Sequence, residues 1–362
     1  MMDLPAISTA RLISQQVDTA KYKRIQDLVS YMGAIQAQDY AMAKWAIGLR
    51  LPGSTERQIE KALDKGVILR THVLRPTWHF VAAEDIYWML ALTADRIKAA
   101  GKTMNRQLEL SDRVFTKSNA IIEKSLQGGK HLGREELSAS LEKAKISVSG
   151  NRLSHLLLRA ELEGITCSGK MEGNKRTYAL LGERVPAKKK LNKEESLTLL
   201  AKKYFSSHGP AAIEDFTWWS GLSGKDAKQA LELVKSNLIA EKINERTYWF
   251  SNALQLPATS QPSVHLLPAF DEFIISYKDR SASLAAGHHK KVLSVNGIFN
   301  PVIVVNGQVK GLWKRTVQKD KIIIETAFFR AYNKATRLLI GKEAEAFGQF
   351  AGQPTEVIYH TK

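Results

Sequence analysis

The sequence predicts an α+β fold, and three observations lead to it. A pattern of helices followed by two short strands occurs three times, and residues 263–362 alternate in the manner of β-strands. The chain has 53 Lys and Arg against 36 Asp and Glu, a net charge of +17. Since a domain usually holds about 100–200 residues, a chain of 362 indicates several. The charge indicates a polyanionic partner such as nucleic acid, with a merely solubilising surface as the alternative.

The repeated unit is clearest in the second predicted domain, residues 111–185. Three helices lead into two short strands that carry Lys, Arg and Tyr, and Gly164 ends the last helix. The helices are predicted at 119–126, 135–143 and 151–163, and the strands at 165–170 and 175–181. Helices that feed a basic two-stranded hairpin are the outline of a winged-helix unit.

The same pattern is predicted on both sides of that domain. Residues 194–255 form the third unit, in which the tripeptide Arg-Thr-Tyr of residues 176–178 returns at 246–248 and supports an internal repeat. Its helices are predicted at 194–207, 211–220 and 224–236, and its strands at 238–242 and 246–250. Residues 1–110 form the first unit, with helices at 21–33, 39–49 and 56–65 and a hairpin at 68–81.

Two linkers separate these units from one another and from a fourth domain. Residues 184–193 hold five basic residues and no acid, and residues 256–263 contain two prolines. The β-rich domain 263–362 follows, closed by a helix. Its strands are predicted at 264–273, 299–306, 309–312 and 321–328, and its helix at 330–350.

Several classes of function are disfavoured by what the sequence lacks. The single cysteine, Cys167, excludes a disulfide framework and fits a reducing compartment. The N-terminal residues do not form a signal peptide, and no segment has the ~20 apolar residues of a membrane span, so a cytoplasmic protein without membrane contact is expected. Phosphate-binding loops, dinucleotide fingerprints and zinc-protease motifs are missing as well. We expect no metal and no cofactor.

The segment Ile35–Tyr40 offers neutral polar groups for chemistry, in Gln36 and Gln38. A glutamine amide cannot take a proton from water, but it can hold a water or stabilise a developing sugar cation with its carbonyl oxygen. Such help suffices when the leaving group is already activated, as in a purine alkylated at N7. The alternative is that the two glutamines belong to a structural hydrogen-bond network at a helix end. The neighbouring acid, Asp39, is a further candidate for the catalytic role.

A basic and aromatic run at 68–81 is predicted to engage DNA beside the glutamines, together with the hairpin of the second unit. The candidate contacts are Arg70, His72, Arg75, Thr77, Trp78, His79, Lys170, Lys175 and Arg176.

Two adjacent pairs have both a chemical and a structural interpretation. Asp271-Glu272 could supply a general base, but on a strand one of the two acids would be buried and the other exposed. Trp218-Trp219 could form a base-stacking platform, although packing in the core is the favoured interpretation.

The chain resembles the AlkZ-like DNA glycosylases, bacterial proteins of tandem winged helices that release N7-alkylated purines and unhook interstrand crosslinks. The similar segments are Ile35–Tyr40, Leu74–His79, Leu266–Glu272, Asp279–Ser281, Pro301–Val305 and Gly307–Trp313. The family signature is glutamine, an apolar residue and glutamine, which Gln36-Ala37-Gln38 matches. A related branch has aspartate at the second polar position.

The resemblance implies a monofunctional glycosylase in which Gln36 and Gln38 are catalytic. It also implies a C-shaped, basic channel that holds double-stranded DNA without deep extrusion of the base. A monomer is expected, because three units in one chain can wrap one duplex. The alternative is a non-catalytic winged-helix DNA-binding protein or transcriptional regulator, which explains the charge and the repeats equally well.

Overall fold

The computed structural model describes residues 3–186, 190–256 and 261–360 of this mixed α/β chain. The middle residues of both predicted linkers, 187–189 and 257–260, lie outside the described residues. The ends of the first linker are part of regular structure, since a helix ends at Arg184 and another begins at Lys193.

The first repeat follows an N-terminal helix that the sequence analysis did not predict. That helix, α1, begins after Asp3, whose side chain accepts a hydrogen bond from the Ala6 N–H, and it has Pro5 in its first turn. The first elements are α1 (Leu4–Ser14), α2 (Ile25–Met32), β1 (Ile35–Gln36), α3 (Tyr40–Arg50), α4 (Glu56–Asp64), β2 (Ile68–His72) and β3 (Trp78–Ala82). Their three strands form one sheet in the order β1-β3-β2.

The second repeat has the same order of elements and the equivalent sheet order. Two helices that were not predicted, α5 (Ile86–Ala100) and α6 (Lys102–Gln107), lead into it. Its elements are α7 (Asp112–Leu126), β4 (Leu132–Gly133), α8 (Arg134–Lys143), α9 (Arg152–Leu162), β5 (Thr166–Ser168) and β6 (Thr177–Leu180), with a sheet in the order β4-β6-β5.

The third repeat begins after the short helix α10 (Leu181–Arg184). A single bridge between Ala211 and Trp249 takes the place of its first strand. Its elements are α11 (Lys193–Ser207), α12 (Ile213–Ser220), α13 (Gly224–Val234), β7 (Leu238–Ile243) and β8 (Arg246–Ser251).

A five-stranded sheet forms the C-terminal part, in the order β13-β12-β11-β10-β9. Its last strand, β13, was not predicted and runs parallel to β12. The elements are β9 (Val264–Leu267), α14 (Glu272–Ile275), α15 (His289–Val292), β10 (Val302–Val305), β11 (Gln308–Val317), β12 (Ile322–Phe328), α16 (Lys334–Ala351) and β13 (Thr355–His360).

The first repeat and the C-terminal sheet share one apolar core. Trp45 of α3 lies 5.1 Å from the ring of Phe347 and 5.3 Å from that of Phe350, both on α16. Its indole N–H donates to the carbonyl of Leu266 in β9. At Gly48 an added Cβ would meet the Phe350 ring at 2.5 Å, so α3 and α16 approach closely only because this residue has no side chain.

A buried arginine joins α1 to the third repeat and the C-terminal part. The Arg11 guanidinium stacks 3.5 Å from the centre of the Tyr277 ring and donates to the carbonyl of Pro210 at 2.9 Å. It also lies 3.6 Å from the carboxylate of Asp215. Because Arg11 is only 1% exposed, these contacts compensate the desolvation of its charge.

Candidate active site and nucleic-acid groove

Gln36 lies on β1 and is held from two sides. Its backbone N–H donates to Oε1 of Glu272 at 2.6 Å, and its side-chain Oε1 accepts from the Arg75 guanidinium at 2.9 Å. An arginine can only donate, so the atom that faces Arg75 must be the carbonyl oxygen of the amide. Gln36 is 4% exposed, and its orientation is therefore fixed.

Glu272 anchors this arrangement from the C-terminal part of the chain. Its carboxylate also accepts from the Trp219 indole at 3.2 Å and from the hydroxyl of Ser276, and His208 lies 3.6 Å away. Burial by itself would raise the pKa of Glu272, but the neighbouring His208, the Ser276 hydroxyl and the backbone N–H of Gln36 lower it to about 2. Burial also lowers the pKa of His208.

Gln38 is exposed at the edge of a groove. The N–H of Ala37 donates to the carbonyl of Trp78 at 2.6 Å, which fixes the backbone one residue before it. Gln38 lines a groove of about 550 Å³ together with Tyr40, Arg176 and Phe270. Within the described part of the chain its side chain has no hydrogen-bond partner, so its amide is free to bind a substrate or a water.

A cationic and aromatic wall continues this groove into a larger cleft of about 1000 Å³ between the first and second repeats. The Arg70 guanidinium lies 4.0 Å from the centre of the Trp78 ring and 5.8 Å from that of Tyr40, and Arg176 lies 5.8 Å from the same Tyr40 ring. Burial and the nearby Arg176 lower the pKa of Arg70 to about 10. Two guanidinium groups beside one aromatic ring favour an anion such as a phosphate.

The predicted hairpin contacts divide into three groups. Lys170, Lys175 and Arg176 are exposed, and Arg75, Thr77 and Trp78 are half-buried. Arg70, His72 and His79, which were predicted to contact DNA, are buried.

The hairpin is covered because the second repeat packs against it. Glu161 of α9 accepts from the His72 backbone at 3.0 Å and lies 2.8 Å from its ring nitrogen, and Ser168 of β5 accepts from the backbone N–H of Arg70 at 2.9 Å. His79 is fully buried, and burial together with the Arg75 charge lowers its pKa to about 3. A neutral, enclosed imidazole cannot contact a phosphate, so His79 is removed from the expected contacts.

The candidate acids are engaged in structural contacts. Asp39 caps α3 by accepting from the Met42 N–H at 3.0 Å. Asp271 forms two hydrogen bonds of 2.8 Å with Arg50, and both side chains are fully buried. The expectation that one of Asp271 and Glu272 is exposed is wrong. The chain leaves the extended conformation at Phe270 (φ 59°), and Asp271 caps α14, so strand alternation does not apply.

The tryptophan pair also differs from the favoured interpretation. Trp219 is fully buried, as expected for a core residue, whereas Trp218 is 42% exposed. Successive helical residues point about 100° apart, and on α12 this turns Trp218 toward the surface while Trp219 faces the core. Trp218 lies beside Arg75 and Arg280, near the glutamines.

Sequence reasoning missed the groups that orient Gln36 and frame Gln38. Glu272 was considered as a base or as a structural acid but not as a partner of Gln36, and Tyr40 and Phe270 were not singled out. The two segments, 35–40 and 266–272, are far apart in sequence and meet only in the folded chain.

The model of the family described as DNA glycosylase AlkZ-like matches residues 29–350. The chain belongs to the AlkZ-like DNA glycosylase family. This confirms the resemblance. A curated relative from Streptomyces sahachiroi, described as an interstrand DNA cross-link repair glycosylase, is 23% identical over 338 residues, 88% of either chain.

A solved structure of the DNA glycosylase AlkZ from the same organism has a similar fold. Its TM-score with this chain is 0.82 at 22% identity, and the match covers 99% of this chain and all of the other. The described helices include none that is long and apolar enough to cross a membrane. Nor do the described residues of this AlkZ-like chain include three or more His, Cys, Asp or Glu side chains grouped to hold a metal ion.

Proposed function

We propose that this protein is a monofunctional DNA glycosylase that hydrolyses the N-glycosidic bond of N7-alkylated purines and unhooks interstrand crosslinks. The observation that carries the proposal is the unpartnered amide of Gln38 in a groove beside Arg176, two residues after a glutamine fixed by Arg75. Family membership and the relative described as a cross-link repair glycosylase support the same chemistry.

The reaction requires little from the protein because the lesion is already cationic. Water forms a bond to C1′ as the bond from C1′ to N9 breaks, and the bonding electrons neutralise the purine. The products are a neutral alkylated base, an abasic sugar and a proton released to solvent. A neutral amide suffices to orient the water and to stabilise the sugar cation in the transition state.

The two glutamines have different roles in this proposal. The oxygen of Gln36 already accepts from Arg75 and its side chain is buried, so Gln36 has less freedom than Gln38 to bind a water or the substrate. The oxygen of Gln38 is unoccupied, and it is the group that faces the water or the sugar cation. Gln38 is therefore the dominant catalytic residue and Gln36 supports it.

We further propose that the three repeats are winged-helix units, with boundaries at 1–110, 111–185 and 194–255 and a β-rich domain at 263–362. The repeated element order and the equivalent sheet orders of the first two support this assignment. A single chain then curves around one duplex as a monomer, and Arg176, Lys175 and Lys170 contact phosphates from the second unit. The half-buried Trp78 completes the wall of the larger cleft.

Chromatography of bases released from duplex DNA that contains N7-methylguanine tests the proposal. Wild-type protein should release the methylated base and leave an abasic site, and uracil in the same context should stay in place. The variant with both Gln36→Ala and Gln38→Ala is the control for contaminating activity. DNA binding without release of any base by the wild type would favour the non-catalytic DNA-binding protein.

A further inference from the structure

Two aromatic residues line the groove that contains Gln38, and they differ in their surroundings. Around Tyr40, Lys44 lies 4.9 Å from the ring centre, and Arg70 and Arg176 each lie 5.8 Å from it. A cation near an aromatic ring is attracted by the negative charge of the ring face. The Tyr40 ring therefore already has cationic partners within the protein.

Phe270, the second of these residues, has a neutral partner instead. Its ring lies 6.1 Å from that of Phe299 at an interplanar angle of 52°, so the two rings are tilted rather than stacked. Arg280 lies 5.1 Å from the centre of Phe299, but no Lys or Arg of the described chain lies over the Phe270 ring. The half-buried Phe270 thus gives the groove an aromatic surface without a cation of its own.

The backbone holds Phe270 in a conformation that bulky residues rarely adopt. Its φ is 59°, in the left-handed region. The indole N–H of Trp313 donates to the carbonyl of Leu267 at 2.7 Å, three residues earlier. Asp271, the next residue, forms two hydrogen bonds with the buried Arg50. Strain that is fixed from both sides in this way is concentrated at functional sites, which points to a role for this ring beyond packing.

An N7-alkylated purine is a planar cation, and the arginine of the groove repels it. Arg176 is exposed beside Gln38, and its charge suits a phosphate rather than a cationic base. A neutral aromatic face attracts such a base both by stacking and through its quadrupole. Asp39 is the acid among the described lining residues, and its carboxylate is engaged as the cap of α3. Phe270 is therefore the group whose chemistry fits the charged base.

We propose that the ring of Phe270 stacks against the N7-alkylated purine and selects it over neutral bases by its positive charge. This inference rests on the proposed function, because it takes the same lesion in the same groove. The positive charge leaves the base as the glycosidic bond breaks, so the contact is stronger with the substrate than with the transition state or the neutral product. Phe270 then determines which base is bound, and Gln38 determines how fast the bond breaks.

Binding to two duplexes that differ in the charge of one base tests this selection without catalysis. One contains N7-methylguanine and the other 7-methyl-7-deazaguanine, a neutral base of the same shape. Both carry a 2′-fluoro sugar, which resists formation of the sugar cation. Wild-type protein should bind the charged duplex about threefold to tenfold more tightly than the neutral one. Phe270→Leu should reduce this ratio of affinities to near one, whereas Phe270→Tyr, which keeps an aromatic face, should preserve it.

Two further variants separate recognition of the base from folding. Asparagine tolerates the left-handed region better than phenylalanine does, so Phe270→Asn should remain folded and lose the preference for the charged duplex. Phe329→Leu is the matched control, because Phe329 is also half-buried but lies in the C-terminal part with Lys291 5.0 Å from its ring. It should keep the wild-type ratio of affinities.

The single-turnover rate distinguishes this selection from a catalytic role. Phe270→Leu should reach at least the wild-type maximal rate of N7-methylguanine release, and only the protein concentration that gives half of that rate should rise. An unchanged ratio of affinities in Phe270→Leu would overturn the proposal, and so would equal binding of both duplexes by the wild type. Release of the methylated base without that preference would keep the glycosylase and remove Phe270 from recognition. A wild-type preference that Phe270→Leu loses, without any release, would overturn the proposed glycosylase and keep the recognition of charge.

Discussion

At the residue scale, the free amide of Gln38 and the fixed amide of Gln36 lead to unequal effects of substitution. Gln38→Ala should lower single-turnover release of N7-methylguanine on the order of tenfold to a thousandfold, the range for losing one preorganised polar group. Duplex affinity should change little because Gln38 is one exposed side chain among many cations. Gln38→Asp should retain activity, since a carboxylate oxygen can also orient water. Wild-type rates in both Gln38→Ala and Gln36→Ala would contradict the assignment.

Arg75 is expected to act through Gln36 rather than on the substrate. Arg75→Ala removes the donor that fixes the Gln36 oxygen and should lower the single-turnover rate about tenfold. The test is a double-mutant cycle: with Gln36→Ala already present, Arg75→Ala should have little further effect on the rate. Additive losses would show instead that Arg75 contacts the DNA directly.

The sequence could indicate the glutamine pair but not its surroundings. Two glutamines separated by one apolar residue form a local pattern, whereas Glu272 reaches Gln36 only after the C-terminal part has packed on β1. The burial of both Asp271 and Glu272 depends on the turn at Phe270 and on the partner Arg50, and neither can be read from alternation.

At the element scale, the hairpin of the second repeat should contribute most of the salt dependence near the groove. Neutralising Lys175 and Arg176 together should flatten the slope of log K against log salt by about two phosphates' worth. Lys175 pairs with Glu135 at 3.0 Å on the surface. Arg176→Gln alone should therefore flatten the slope more than Lys175→Gln alone. Affinities on duplexes of scrambled sequence, measured over a range of salt, check this. A strong preference for one palindrome would favour a regulator.

Elements of the repeats were predictable because their helices have apolar residues at regular spacing, and α9 and α13 are clear examples. That another repeat covers the hairpin 68–81 was not predictable. Its strands are covered by α9 and β5, and the acid that fixes His72, Glu161, lies on a helix of another repeat.

A buried histidine should make stability depend on pH in the alkaline range. His265 of β9 lies 2.6 Å from Asp18 and 3.6 Å from Glu343 of α16. Burial would lower the pKa of His265, but the two carboxylates raise it to about 9. Its stabilising contribution is therefore complete below the ordinary value near 6.5 and is lost as the pH rises through about 9.

The expected contribution is of the order of 1–3 kcal/mol, from the size of that shift. Urea unfolding at pH 6 and at pH 9.5 measures it. His265→Gln should unfold more easily at pH 6 and should lose the difference between the two pH values. An equal pH dependence in the variant and the wild type would assign the effect to another group.

At the whole-molecule scale, the apolar cores do not follow the sequence repeats. The first repeat and the C-terminal sheet share a core, and the third repeat packs on residues of the first and on α5. The second repeat has a core of its own, formed by α7, α8 and α9. It joins the rest partly through polar contacts such as those of Glu161 with β2. The sequence predicts three units of one kind, and only packing distinguishes the second.

The second repeat should therefore open independently of the remainder. Leu141 is fully buried in its core, and Leu141→Ala should cost about 2–5 kcal/mol of local stability through the cavity it leaves. Hydrogen exchange followed by mass spectrometry should become faster mainly in residues 108–180, because the core around Leu141 is distinct from the other cores, to which the second repeat is joined through Leu162 and Cys167. Phe347→Ala, in the core shared by the first repeat and the C-terminal sheet, is the comparison and should accelerate exchange in both of those regions. If Leu141→Ala accelerates exchange equally throughout the described chain, the second repeat unfolds together with the rest, and the groove between the first two repeats cannot open by its separate motion.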